Sequence, residues 1–461
     1  MLRFLPLIVL FSPLALIAQE MVRVYPAPEG ETLSTRYKVA VSGKDAPVYT
    51  ASISSLDPQA RKTLNRPSPS TDTAFASFDM RGPARVTVTF PSGVKKAVVL
   101  PTSRGIHPMV AGNQITFTVS KPGPLVLEVN DDWLNSLQIF ANPWEEDAPD
   151  PKDPNVIYYG PGVHEVEGVI VPSGKTVYIA GGAVVYGKST EGEKNPIFFL
   201  KGDHITLRGR GIVDGSRCAY HTRNMIVVAG RDIKLEGVVL RDSSTWNVPV
   251  QGSDQVRIEN IKIFGYRGNS DGIDINNSRD VDVGDCYLRT FDDLVVIKSS
   301  DLKRGKSSNI TVHNCVLWNE FAHALSLGAE LRLDVDGVRF TDCDVVRDKG
   351  REWVLRVYQC DSGHMKNIVF DNIRIEEGRR LMSAWIGRAN WSRDEERGHI
   401  DNVIFKNIEA NASSTIADLV GFDATHQVRD VKFDHVKVNG QPLRESDVRR
   451  NEFVEGVTVT P

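Results

Sequence analysis

Val281-Asp-Val-Gly-Asp-Cys286, Ile310-Thr-Val-His-Asn-Cys315 and Val338-Arg-Phe-Thr-Asp-Cys343 are three copies of one phrase: a short apolar-alternating strand, a polar turn, and a cysteine five residues after the strand begins. Six further copies open at Ile205, Ile233, Val256, Ile368, Val403 and Val431, so the nine starts are spaced by 28, 23, 25, 29, 28, 30, 35 and 28 residues. Val238, Ile261, Ile373, Ile408 and Val436 occupy the cysteine position in five of the other six copies. A free thiol behaves as a small apolar side chain, so a position shared by Cys, Val and Ile describes a stacked core ladder. With no amphipathic helix between the strands, the pattern specifies a strand solenoid. The fold expected for residues 155–461 is a right-handed parallel β-helix.

Upstream the rhythm changes. From Val22 to Ala141, short alternating runs such as Arg85-Val-Thr-Val-Thr-Phe and Gln114-Ile-Thr-Phe-Thr-Val are separated by turn residues, which reads as a small antiparallel β-sandwich. The Pro- and acid-rich stretch 142–154 reads as a stiff connector. The chain as a whole is expected to be all-β, with the sandwich (22–141) closing the otherwise open first rung of the helix. Met1-Leu-Arg followed by the apolar stretch Phe4–Ala18 reads as a secretory signal peptide over residues 1–18, cleaved after Ala18. About 15 apolar residues broken by Pro6 and Pro13 fall short of the roughly 20 needed for a membrane span, so a secreted or periplasmic location is expected.

Composition narrows the function classes. The chain has 461 residues, 41% hydrophobic and 25% charged, which excludes a wholly disordered, collagen-like or disulfide-packed protein. Its formal charge is −4 with no run of basic residues, so no nucleic-acid partner is indicated. The five cysteines are widely separated and include no CxxC pair, so no metal site is expected of them.

Acidic residues gather at one phase of successive coils. Counted from its own coil start, Asp271 stands at +15, Asp292 and Asp293 at +11 and +12, His323 at +13 and Arg356 at +18. At about 4.8 Å per coil, three carboxylates, an imidazole and a guanidinium fall within about 15 Å of one another. Like charges this close raise at least one carboxyl pKa, leaving one acid protonated beside ionised neighbours, as glycoside hydrolysis requires. Solenoid turns are also rich in Asp and Asn for structural reasons; a single Asp reads better that way and His323 alone equally well, whereas the set together reads as functional.

Taken in order, the motifs Asn269-Ser270-Asp271, Asp292-Asp293, Ala322-His323-Ala324 and Arg356-Val357-Tyr358 resemble those of the polygalacturonases, glycoside hydrolase family 28. The preceding sandwich is similar to the layout of the family 49 dextranases. The resemblance implies an inverting, metal-independent hydrolase without a cofactor. In it Asp292 would be the general acid, Asp271 and Asp293 would hold and activate water, His323 would tune the carboxylates, and Asn269 and Arg356 would contact substrate. Inverting pairs are typically separated by about 6.5–9.5 Å, a span that adjacent rungs can supply.

Departures from the family pattern bear on substrate. Polygalacturonases resemble one another in placing Lys where this chain has Tyr358. Without that cation, the case for plain homogalacturonan weakens, and a neutral, differently charged or mixed α-linked polysaccharide is favoured. Trp246, Trp353 and Trp385, at +13, +15 and +17 of their coils, are the expected sugar platforms, ahead of Trp318 and Trp391. Lys298 is a further candidate contact. Two alternatives share the scaffold: a Ca-dependent polysaccharide lyase, with Lys298 or Arg356 as base, and a non-catalytic glycan-binding solenoid.

Overall fold

The computed structural model describes residues 20–55 and 69–461; the proposed signal peptide lies outside the described residues. From Val156 to Thr460 the chain winds as a right-handed parallel β-helix, preceded by two small packed sheets. All nine coil starts are in register, Ile205 pairing with Ile233, Ile233 with Val256, and so on through Val403 with Val431.

Each central coil carries three strands. In one, Arg279–Gly284, Tyr287–Thr290 and Val295–Ser299 follow one another around the helix. The interior is filled by like residues stacked on like: Cys286, Cys315 and Cys343 are fully buried free thiols. Phe340, Phe370, Phe405 and Phe433 form a parallel ring stack with centroids 4.8, 5.0 and 5.2 Å apart. Asn and Asp flank the first strand at left-handed backbone positions, for example Asp280, Asp285, Asn309, Asn314, Asn367 and Asn372. These residues tolerate that conformation better than most, which explains their recurrence at the bends.

Of the two amino-terminal sheets, one contains Val22–Val24, Tyr49–Ser54, Ser70–Met80, Ala97–Leu100, Gly123–Val129 and Asp132–Pro143. Its pairings are antiparallel except that between Ser70–Met80 and Asp132–Pro143, which is parallel. One face packs on the second sheet through Val39, Val86, Ile115 and Leu127. The other face packs on the β-helix.

That second contact corrects the expectation that the sandwich closes the first rung. Tyr49, Phe75, Val126 and Phe140 share one buried cluster with Val184, Ile212, Val239, Phe264, Tyr287, Trp318 and Val346, the outward residues of the second strands on successive coils. The sandwich therefore lies along the side of the helix. Arg210 pairs with Asp79 at 2.8 Å and Arg241 with Glu31 at 2.6 Å across this seam. Apolar side chains on both faces of the second strands demand such a cover, because a β-helix strand facing water on one side alternates apolar with polar.

Candidate active site

The three acids, His323, Trp246 and Trp353 sit where the second strand of each coil turns into the third, while Lys298, Arg356, Tyr358 and Trp385 lie on the third strands themselves. The third strands pair Ile273 with Val295, Val295 with Leu325 and Leu325 with Leu355. Asp271, Asp293, His323 and Trp353 each stand two residues before those partners. Val248 pairs with Ile273 and Leu355 with Met382, which adds Trp246 and Arg380 at the same turn position. The column thus reads Trp246, Asp271, Asp293, His323, Trp353, Arg380, one residue per coil.

Asp271, Asp292 and Asp293 offer carboxylate oxygens that all lie within 4.8 Å of one another, Asp271 buried and the other two half-buried. This is tighter than the separation of about 6.5–9.5 Å expected for an inverting pair and near the roughly 5 Å of retaining ones. The same three oxygens are close enough to share one cation. Backbone groups hold the acids in place: Asn269 N donates to Asp292 Oδ2 at 3.2 Å and Asp293 N to Asp292 Oδ1 at 3.1 Å. Asn269 thereby serves the site through its main chain, at a left-handed φ of 59°.

The three carboxyls differ in proton affinity. Burial, with Asp274 and Asp292 nearby, raises Asp271 well above the usual carboxylate range, and its Oδ1 is buried with no hydrogen bond. Burial and then the charge of Asp293 push Asp292 up to about 6. For Asp293 burial acts in the same direction, but the attraction and hydrogen bonds of His323 outweigh it and hold the group below the usual range. His323 Nδ1 lies 2.6 Å from Asp293 Oδ1, and Arg356 Nη1 lies 3.2 Å from His323 Nε2.

Lys298 enters the acid cluster rather than standing at a free subsite. Its Nζ is 3.0 Å from Asp274, 3.7 Å from Glu330 and 3.8 Å from Asp271, and it lies 4.5 Å above the Trp246 ring. Burial disfavours its charge, but the surrounding carboxyls more than offset this and raise its pKa well above that of a free lysine. Arg356 is likewise enclosed: it donates to Glu352 at 2.9 Å and stacks 4.0 Å over Tyr358.

The aromatic candidates divide. Trp246 lies beside the acids through Lys298, while Trp353 is buried, with Arg380 5.9 Å from its ring. Trp385 meets Tyr358 edge-on at 4.9 Å, and Trp391, half-exposed, approaches the same tyrosine at 6.2 Å. Trp318 is completely buried against Arg289 and Trp133 at the sandwich seam, which removes it as a platform. Sequence reasoning passed over Asp274, Glu330 and Glu352. Asp274 was discoverable, since a charged residue between Ile273 and Ile275 must point out of the coil.

Fold and site together define a parallel β-helix protein carrying an acid cluster on the flank of its coils. The family model of glycosyl hydrolases family 28 matches residues 162–453, well over half of the chain, and the chain belongs to that family. A probable polygalacturonase of Vitis vinifera is 24% identical over 156 residues, 31% of this chain and 32% of that protein. A polygalacturonase of Juniperus ashei is 24% identical over 252 residues, 48% of this chain and 47% of that one. The chain therefore spans less than half the length of either relative. Dex49A from Penicillium minioluteum superposes with a TM-score of 0.63 at 14% identity, covering 95% of this chain and 96% of its own. An exopolygalacturonase from Thermotoga maritima gives 0.54 at 18% identity, over 66% and 83%. These structural likenesses concern the fold, and the Dex49A match extends it across the sandwich.

Proposed function

We propose that the chain hydrolyses α-linked glycosidic bonds in a polysaccharide or its oligosaccharides, with inversion and outside the cytoplasm. The observation that carries this reading is the opposed tuning of touching acids: Asp292 raised to about 6 beside Asp293 held low by His323. Asp292 donates its proton to the leaving oxygen. Asp293, ionised, takes a proton from water, and Asp271 holds that water from the neighbouring coil. The short spacing of the acids taken alone fits retention as well. Inversion is favoured by the third carboxyl, because a retaining mechanism needs only one acid and one nucleophile, whereas a water held by two groups needs both. Export rests on the apolar leader of residues 4–18.

The test is product analysis on a panel of galacturonans, rhamnogalacturonan, dextran, pullulan and algal galactans, with and without chelator. Chelator-resistant reducing ends are expected, with the anomer opposite to that of the bond cleaved seen first by NMR. Retention of configuration would sink the inverting assignment alone. The shared reach of the three carboxyls toward one cation favours a second reading, a metal-dependent lyase. It requires a free base, and Lys298 is a poor one because its acidic neighbours keep it charged. An unsaturated product lost on chelation would establish the lyase instead.

A further inference from the structure

The two cations that face the acid cluster are already spent on protein carboxylates. Lys298 is held by Asp274, Asp271 and Glu330. Arg356, on the strand Leu355–Gln359, is held by Glu352, which reaches it from the preceding turn, one helical-style step of four residues earlier. Asp271, Asp274, Asp292, Asp293, Glu330 and Glu352 thus stand against Lys298 and Arg356. Of the rest of Arg356, Nη1 is shared with His323 Nε2 and the guanidinium face lies on the Tyr358 ring, while Nε is buried without a hydrogen bond and does not open on the cleft. A sugar carboxylate arriving here would meet a guanidinium whose charge is matched by Glu352, with the ionised Asp293 behind His323. A neutral pyranose would meet hydrogen-bond donors and the Tyr358, Trp385 and Trp391 ring cluster.

We propose that Glu352 is a specificity-determining residue which neutralises Arg356, so that the sugar bound against Arg356 beside the cleaved bond is uncharged. This inference rests on the reading of the cleft as a sugar site. Glu352 suits the role because its other oxygen is only 3.4 Å from Arg351, an exposed residue stacked on Phe321, so the carboxylate is fixed from two sides. Discrimination of this kind works by repulsion of the wrong partner as much as by attraction of the right one. Arg380, two coils beyond His323 in the same column, is the next cation along the cleft, and the inference does not extend to a sugar bound there.

The experiment compares two ligands that differ only in charge: an α-linked galacturonate trisaccharide and the same trisaccharide with its carboxylates reduced to alcohols. Binding is measured by calorimetry at pH 7 to the Asp292→Asn chain, which prevents turnover, with and without Glu352→Gln. The Asp292→Asn chain is expected to bind the reduced sugar at least tenfold more tightly than the acid. Glu352→Gln, isosteric and partly exposed, should cut that ratio to threefold or less by strengthening the acid. A preference for the acid in the parent chain, or a ratio that Glu352→Gln leaves unchanged, overturns the role of Glu352 while leaving the sugar cleft standing. If neither sugar binds, the cleft reading falls together with it.

Discussion

The same coils carry Asp and Asn in two places, and the two places behave differently. At the bends flanking the first strand, Asp342 accepts from Asn372 Nδ2 at 2.5 Å and from Thr341 Oγ1 at 2.9 Å. Asn402 donates to Asn367 and Asn367 to Asp336, each at 2.8 Å. The bonds from Asn372, Asn402 and Asn367 each come from the next coil, and these side chains border solvent. At the bend before the third strand, Asp271 buries an oxygen that accepts nothing, and Asp292 and Asp293 lie against it. Residue type does not separate scaffold from chemistry here. Burial and unfilled hydrogen-bonding capacity do, because a carboxylate withdrawn from water without partners changes its proton affinity.

Substitution by the isosteric amide should break the two regions apart most sharply. Asp292→Asn removes the transferable proton and is expected to lower kcat about 10³-fold while leaving the unfolding temperature unchanged. Asp342→Asn, in the ladder, keeps an acceptor and a residue suited to left-handed backbone; reducing-end assays should show wild-type turnover and calorimetry a stability within about 0.5 kcal/mol. Equal losses at both positions would refute the division.

The pH profile gives a smaller effect with a definite sign. Asp292 must be protonated, so activity should fall about tenfold per unit as pH rises beyond about 6. Asp293 must be ionised, and because His323 holds its pKa down, activity should persist on acidification. His323→Ala removes that attraction, raising the Asp293 pKa. The acidic limb of kcat/KM is then expected to move to higher pH, with a loss of about 10²-fold at the optimum. An acidic limb that stays in place would mean that Asp293 is not the base.

Much of this was legible beforehand, for a physical reason. Parallel pairing of identical coils forces like residues into register, so the nine strand starts and the Cys286, Cys315 and Cys343 ladder could be counted off directly. The site was blurred by the same counting. Offsets from +11 to +18 scatter because the turns between first and third strand vary in length, whereas Asp271, Asp293 and His323 coincide when measured back from Ile273, Val295 and Leu325. Lys298 was a candidate contact, but its pairing with Asp274 and Glu330 was opaque because ion-pair partners on different coils leave no periodic trace. The lateral seat of the sandwich had left a trace: Phe264, Tyr287 and Trp318 are apolar where a wet face would carry polar residues.

The finest test asks why the ladder uses Asn at all. Asn367 is exposed, has φ near 59°, and both donates to Asp336 and accepts from Asn402. An L-residue other than Asn or Asp in that conformation costs about 1–2 kcal/mol, and a net exposed hydrogen bond is worth about 1 kcal/mol or less. Asn367→Ala loses both and is expected to destabilise the chain by about 2 kcal/mol in denaturant titrations. Asn367→Gly loses the hydrogen bonds but adopts the conformation freely, so its loss should be about half as large. Neither should alter turnover, since the residue lies on the first-strand bend and not in the carboxylate column. If Ala and Gly are equally destabilising, the ladder is held by its side-chain hydrogen bonds and the left-handed bend carries no selection for Asn. If Gly matches wild type, backbone conformation alone accounts for the Asn-rich bends, and their hydrogen bonds merely decorate a geometry that the coil imposes.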